Sequence, residues 1–176
     1  MWRIFLLTAL VPTLALAAPV RDLTAPMIAV AQYDKARLVG HWFEVAQTPS
    51  ILEQDCHGVT VDVATRDDSR STLKIACHKS SLDGPLLPIE GVLAETDPGI
   101  YQLRLVHLLE LGNLQMVVLW QSDDDGMAAI GAPLAEIGWV WSKTAHPDPR
   151  LIETARQSLI SAGYRPTAIR PVEQAP

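Results

Sequence analysis

The stretch that decides the fold is LVGHWFEVAQTPSILEQDC, Leu38 to Cys56. A glycine, a tryptophan and a glutamate fall within five residues, followed by a proline and one of only two cysteines. A strand that merely filled a core would need none of that punctuation. Working outward from HWFEVAQT (41–48), short apolar runs recur with turns between them: GVTVDVAT (58–65), TLKIACH (72–78), LPIEGVLAET (87–96), IYQLRLVHL (100–108), NLQMVVLWQ (113–121), MAAIG (127–131) and IGWVWSK (137–143). RDDSR, LDGP, DPG and SDDDG supply the turn chemistry. Eight candidate strands at this spacing predict an all-β sandwich or barrel.

One helix is expected after the last strand. Asp148 caps it, Pro149 suits its first position, Glu153 favours its positive end and Gly163 ends it. Leu151, Ile152, Ala155, Leu159 and Ala162 share one apolar side, so the helix should lie outside the sheet. PTAIR (166–170) is a candidate for one more short strand.

Residues 1–17 read as a signal peptide: Arg3, an apolar run from Ile4 to Leu16 too short to span a membrane comfortably, and Ala15-Leu16-Ala17 before Ala18. No cysteine follows that run, so no lipid attachment is expected, and any association with a cell envelope would be peripheral. The protein is expected to be exported, periplasmic or secreted, and soluble. Lead-in residues 18–33, a domain at 34–165 and a tail at 166–176 complete the predicted organisation. Fourteen Lys and Arg face twenty Asp and Glu, and losing Arg3 takes the net charge from −6 to −7. An acidic surface without a basic run argues against nucleic acid as a partner.

Cys56 and Cys77 make an even count behind a signal peptide, which favours one disulfide. The rival is a zinc site, since DCHG and ACHK each pair a cysteine with a histidine. Adjacent strand residues point to opposite faces, so such pairs chelate one ion poorly. Laying the apolar faces together sets Val59 opposite Ile75 and Val61 opposite Leu73. The two cysteines fall one residue out of that register, so an irregularity is expected near His57.

No dinucleotide, Walker, nucleophile-elbow, H-E-x-x-H or C-x-x-C motif occurs. SDDDG lacks the first acid and the closing glutamate of a calcium loop, with Gln121 and Ala132 in those places, and reads as a hairpin turn. The histidines at 41, 57, 78, 107 and 146 show no ligand-like spacing. Glu90 should face solvent, while alternation leaves Glu44 open between solvent and a pocket. Trp42, Trp120, Trp139 and Trp141 all fall in strands, as either a filled core or the wall of a cavity.

YDKARLVGHWFEVAQTP resembles the first signature of the lipocalins, in particular the bacterial, apolipoprotein-D-like branch, which reads roughly D-x-x-R-Y-x-G-x-W-Y-E-I-A-R-x-P. Asp34, Arg37, Gly40, Trp42, Phe43, Glu44, Val45, Ala46 and Pro49 fill that pattern. IEGVLAE, DDDGMAAIGAP and IGWVWSKTAHPDP resemble three later family segments, in the family's order, so the likeness runs over about 34–165. Two positions depart from it. Asp125 stands for the usual tyrosine, and Lys143 for the arginine that packs on the signature tryptophan.

The resemblance implies an eight-stranded antiparallel up-and-down barrel with the helix outside, an architecture that holds one small ligand, as lipocalins exemplify. It implies that Gly40, Trp42 and Lys143 close one end, that Pro49 starts a loop over the open mouth, and that Cys56 pins that loop to the third strand. Alternation then makes Val59, Val61, Val63, Leu73, Ile75, Met116, Val118 and Trp120 the lining, with Arg104 a candidate partner for a ligand's carboxylate or phosphate. The expected partner is a small hydrophobic or amphiphilic molecule of the fatty acid or lysophospholipid class, bound for transport, storage or membrane maintenance, with no cofactor, metal or catalytic residue. Two other readings stay open: a lipocalin-fold enzyme acting on an apolar substrate, and a filled barrel serving interaction or inhibition.

Overall fold

The structure is a computed structural model and describes residues 19–106, 112–124 and 126–176. The expected signal peptide, His107 and Asp125 lie outside the described residues. Eight strands follow in order: β1 (Gly40–Gln47), β2 (Cys56–Thr65), β3 (Ser71–Lys79), β4 (Leu86–Asp97), β5 (Ile100–Leu105), β6 (Asn113–Gln121), β7 (Met127–Ala132) and β8 (Ile137–Ser142). Each pairs antiparallel with the next, and β1 pairs with both β2 and β8, so the sheet closes into an up-and-down barrel.

Strand alternation builds the interior. Val59, Val61 and Val63 are buried in β2, Leu73, Ile75 and Cys77 in β3, and Tyr101, Leu103 and Leu105 in β5, all in one cluster. Strands β7 and β8 are buried on both faces, which explains their continuous apolar sequences. Their outer face is covered by α1 (Pro149–Ser161), whose Ala155 and Leu159, with Ala162 just beyond its end, share a buried cluster with Met127, Ala129 and Val140. A Cβ at Gly138 would come 3.0 Å from a Leu159 methyl and 3.2 Å from the Tyr164 ring, so the helix packs closely on the sheet at a position without a side chain. Asp148 caps α1 by accepting from the Arg150 amide at 2.8 Å, and Gly163 ends it at φ +96°. Glu153 does not serve the positive end: it pairs with Arg156 at 3.3 Å, one turn on.

Two details differ from the sequence expectation. The β2–β3 register sets Val61 opposite Ile75 and Val63 opposite Leu73, two residues from the expected pairing. A slip of two keeps every side chain on its face, so alternation could not choose between the registers. The RDDSR turn chooses, through the Arg66 amide donating to the Arg70 carbonyl at 2.8 Å. The expected irregularity is present between His57 and Thr60, and Cys56 and Cys77 form a disulfide with Cα atoms 5.4 Å apart. The tail also differs. Pro166–Ala168 is a 3₁₀ turn, and the added strand is the two-residue β9 (Arg170–Pro171), paired with Ala46 and Gln47 of β1.

That tail closes a seam. β1 pairs with β2 only from Gly40 to Phe43, and beyond that point the two strands diverge. The Val172 amide donates to the Val45 carbonyl at 3.1 Å, and the Gly58 amide to the Glu173 carbonyl at 2.8 Å. The Gln174 side-chain amide donates to the carbonyls of Glu44 and Val59. Among the described residues no helix is long and apolar enough to cross a membrane.

Candidate functional site: the barrel lumen and its mouth

The closed end is built around Trp42, fully buried, whose indole N–H donates to the Leu38 carbonyl at 2.8 Å. The Lys143 ammonium lies 3.5 Å from the Trp42 ring centroid and donates to the Val39 carbonyl at 3.1 Å. Lysine therefore keeps the cation–π contact that the usual arginine would make. Gly40 holds φ +119°, and a Cβ there would sit 2.9 Å from the Lys143 nitrogen. Gly40, Trp42 and Lys143 thus meet at one end of the barrel, held by backbone shape as well as by side chains.

From Trp42 a column of indoles climbs one wall: Trp141 has its centroid 6.4 Å from that of Trp42, and Trp139 lies 6.4 Å further on. The other walls are aliphatic. Val59, Val61, Val63, Leu73, Ile75, Met116 and Val118 are all buried in the interior cluster. Two expected lumen residues are elsewhere. Trp120 packs on the outer, helix-side cluster, because a bulge between Val118 and Trp120 breaks the alternation of β6. Arg104 is exposed on the outer face, where it lines a groove with Arg70, Val92 and Gln102; with Leu103 and Leu105 inward, the residue between them must point out.

The open end is covered by the β1–β2 loop. Thr48 anchors its start, its amide donating to the Gly138 carbonyl at 2.9 Å and its hydroxyl accepting from the Gly138 amide at 2.8 Å. Asp55 anchors its end, its carbonyl accepting from the Ser80 amide at 3.0 Å, beside the disulfide. Between these anchors Leu52 joins the interior cluster and Ile51 stays 79% exposed. Pro49, Leu52, Leu114, Ala135 and Ile137 line an apolar cleft of about 260 Å³.

Two acids lie inside this apolar interior. Glu44 is 0% exposed and Glu53, from the loop, 2% exposed. Glu53 accepts a hydrogen bond from the Trp139 indole at 2.8 Å. Both Glu44 oxygens, the other Glu53 oxygen and the Trp141 indole N–H lack a partner of hydrogen-bonding geometry. The two carboxyls are close enough to act on each other. Burial first, then the neighbouring Glu53, holds the Glu44 carboxyl well above the usual carboxylate range. Burial pushes Glu53 up to about 7, against the lowering effect of the Trp139 hydrogen bond and of the neighbouring Glu44 carboxyl. Two buried carboxyls without a countercharge cannot both ionise at modest cost, so the pair retains a proton near neutral pH.

Sequence reasoning left Glu44 open and did not single out Glu53. Glu44 had a readable signal: it is two residues from Trp42 on a regular stretch of strand, so a buried Trp42 requires an inward Glu44. Glu53 had none, because a loop residue has no periodicity. Glu90 faces solvent as expected, 3.7 Å from Lys74. Of the histidines, His41 pairs with Asp62 at 2.8 Å, His57 with Glu173 at 3.0 Å, and His78 and His146 contact backbone carbonyls.

A family profile described as a lipocalin-like domain matches residues 33–174. The chain belongs to the lipocalin-like family. Among curated proteins, none matches this lipocalin significantly in sequence. Solved structures that resemble it include lobster apocrustacyanin A1, 14% identical over 81% of each chain at a TM-score of 0.66. The cockroach allergen Per a 4 is 14% identical over 88% of this lipocalin and 97% of the allergen, at 0.66. Apocrustacyanin C2 is 14% identical over 94% and 93%, at 0.67. At that identity the likeness establishes the shared barrel. Small hydrophobic ligands are what this fold is suited to hold.

Proposed function

We propose that this lipocalin is an exported carrier, of the bacterial, apolipoprotein-D-like branch, that binds one fatty acid or lysophospholipid in its barrel for lipid transport, storage or membrane maintenance. The observation that carries the reading is a closed barrel whose interior-facing side chains are apolar, with an apolar cleft beside Leu52, Leu114 and Ile137 under the β1–β2 loop. Val59, Val61, Val63, Leu73, Ile75, Met116 and Val118 form the wall against the chain, and the polar head stays outside. Glu44 and Glu53 disfavour an anionic head drawn deep into the lumen, so the tail enters first. Binding rather than catalysis also suits the cysteines, since both thiols are consumed in the disulfide. The disulfide in turn supports an oxidising compartment.

Each added methylene that becomes buried should tighten binding by about 0.8 kcal/mol, roughly fourfold, until the lumen is full. Titrating fatty acids of increasing length while following tryptophan fluorescence checks this. Affinity independent of chain length would overturn the carrier reading.

A further inference from the structure

The β1–β2 loop closes the lumen with an acid that the interior should reject. Among the described residues, the one hydrogen bond that ties residues 49–53 across the barrel runs from the Trp139 indole to Glu53. The loop's other ties lie within it or at its ends, where Thr48, Asp55 and the disulfide are fixed and the Lys79 ammonium donates to the Gln54 carbonyl. Such a segment, held at both ends and weakly in its middle, is built to swing. Glu44 faces Glu53 from β1, while β8 presents uncharged indoles; Asp55 and Arg170 line the groove on the loop's solvent side together with Glu53. The groups that act on the two carboxyls are each other and the Trp139 and Trp141 indoles, none of them a cation. Swinging out would bring Glu53 from beside a second acid to water and the neighbourhood of Arg170.

We infer that the β1–β2 loop is a proton-held stopper: the protonated Glu53–Glu44 pair keeps Leu52 and Glu53 in the mouth, and release of the proton to solvent drives residues 49–53 outward and opens the lumen. The inference rests on the carrier reading for its purpose, since the opening admits the ligand. Its direction follows from linkage. The closed loop binds the proton more tightly than the open one, so raising the pH favours opening. The raised titration of Glu53 places the change at and below about pH 7.

Amide hydrogen exchange at residues 49–55, corrected for the intrinsic pH dependence of exchange, tests the stopper on the purified protein without any ligand. The opening constant should rise by up to about tenfold per pH unit from the ordinary carboxylate range and level off above about pH 7. E53Q, which has no proton to lose, should stay protected across that range. Equal protection of the wild-type loop from about pH 5 to about pH 8, or a wild-type transition in E53Q, overturns the inference. Because the wild-type profile alone is decisive, the test survives an E53Q that does not fold. Uptake of dodecanol, whose head does not titrate, separates the two readings. A loop that opens while dodecanol never binds keeps the stopper and sinks the carrier; binding at one rate throughout the range keeps the carrier and sinks the stopper.

Discussion

Glu44 is the residue whose surroundings oppose its chemistry most directly. It lies in the strand that carries Trp42, fully buried, with neither oxygen hydrogen-bonded. Its carboxyl titrates well above the usual range in the folded protein and at the ordinary value when unfolded. For a raised acid the folded state holds a proton that the unfolded state releases. Stability is therefore undiminished below the ordinary carboxylate value and falls as pH rises through the folded one. Glu44→Gln keeps the shape and removes the ionisation. Urea unfolding should show the variant level with wild type at about pH 4 and more stable at neutral pH, by up to about 1.4 kcal/mol for each unit above the ordinary value. An advantage independent of pH would mean that the carboxyl is not what the interior opposes. Lys143 shows the opposite case, a departure from the family pattern that the structure absorbs: its ammonium reaches the Trp42 ring because Gly40 has no side chain in the way.

Among the elements, the last residues of the chain matter more than their sequence suggests. Arg170 to Gln174 fill the gap where β1 and β2 part, and supply backbone and side-chain hydrogen bonds to both strands. Removing residues 170–176 would leave the carbonyls of Glu44, Val45 and Val59 and the amide of Gly58 without those partners. Each lost hydrogen bond costs about 0.5–1.5 kcal/mol, so a loss of several kcal/mol is expected. Faster amide exchange along the β1–β2 seam should accompany it, while β4–β5 stays protected. Eight strands and one helix were legible because their alternation, turns and caps are local properties. The fine pairing was not. In β2–β3 two registers share one face, and in β6 a single bulge carries Trp120 from the expected lumen to the helix side.

For the whole molecule, closure couples the fold to its contents. A ligand that enters only the closed barrel stabilises the native state by mass action, about 2.7 kcal/mol at a free concentration one hundred times its dissociation constant. Thermal unfolding should therefore move upward with dodecanol and further with longer alcohols; an unfolding temperature blind to chain length would argue against a lumen site. The sequence by itself determined the all-β class, the outer helix and the inward face of Val59, Val61, Val63, Leu73, Ile75, Met116 and Val118, since each is written in alternation, while the family signature implied the grouping of Gly40, Trp42 and Lys143. Only the tertiary structure decided that Glu53 turns inward from a loop, that it meets Glu44 there, that Arg104 faces away, and that the tail seals the seam. Those facts depend on where the chain goes after it leaves a strand. Neighbours along the sequence govern the face a residue takes, but which distant residues meet is settled when the barrel closes.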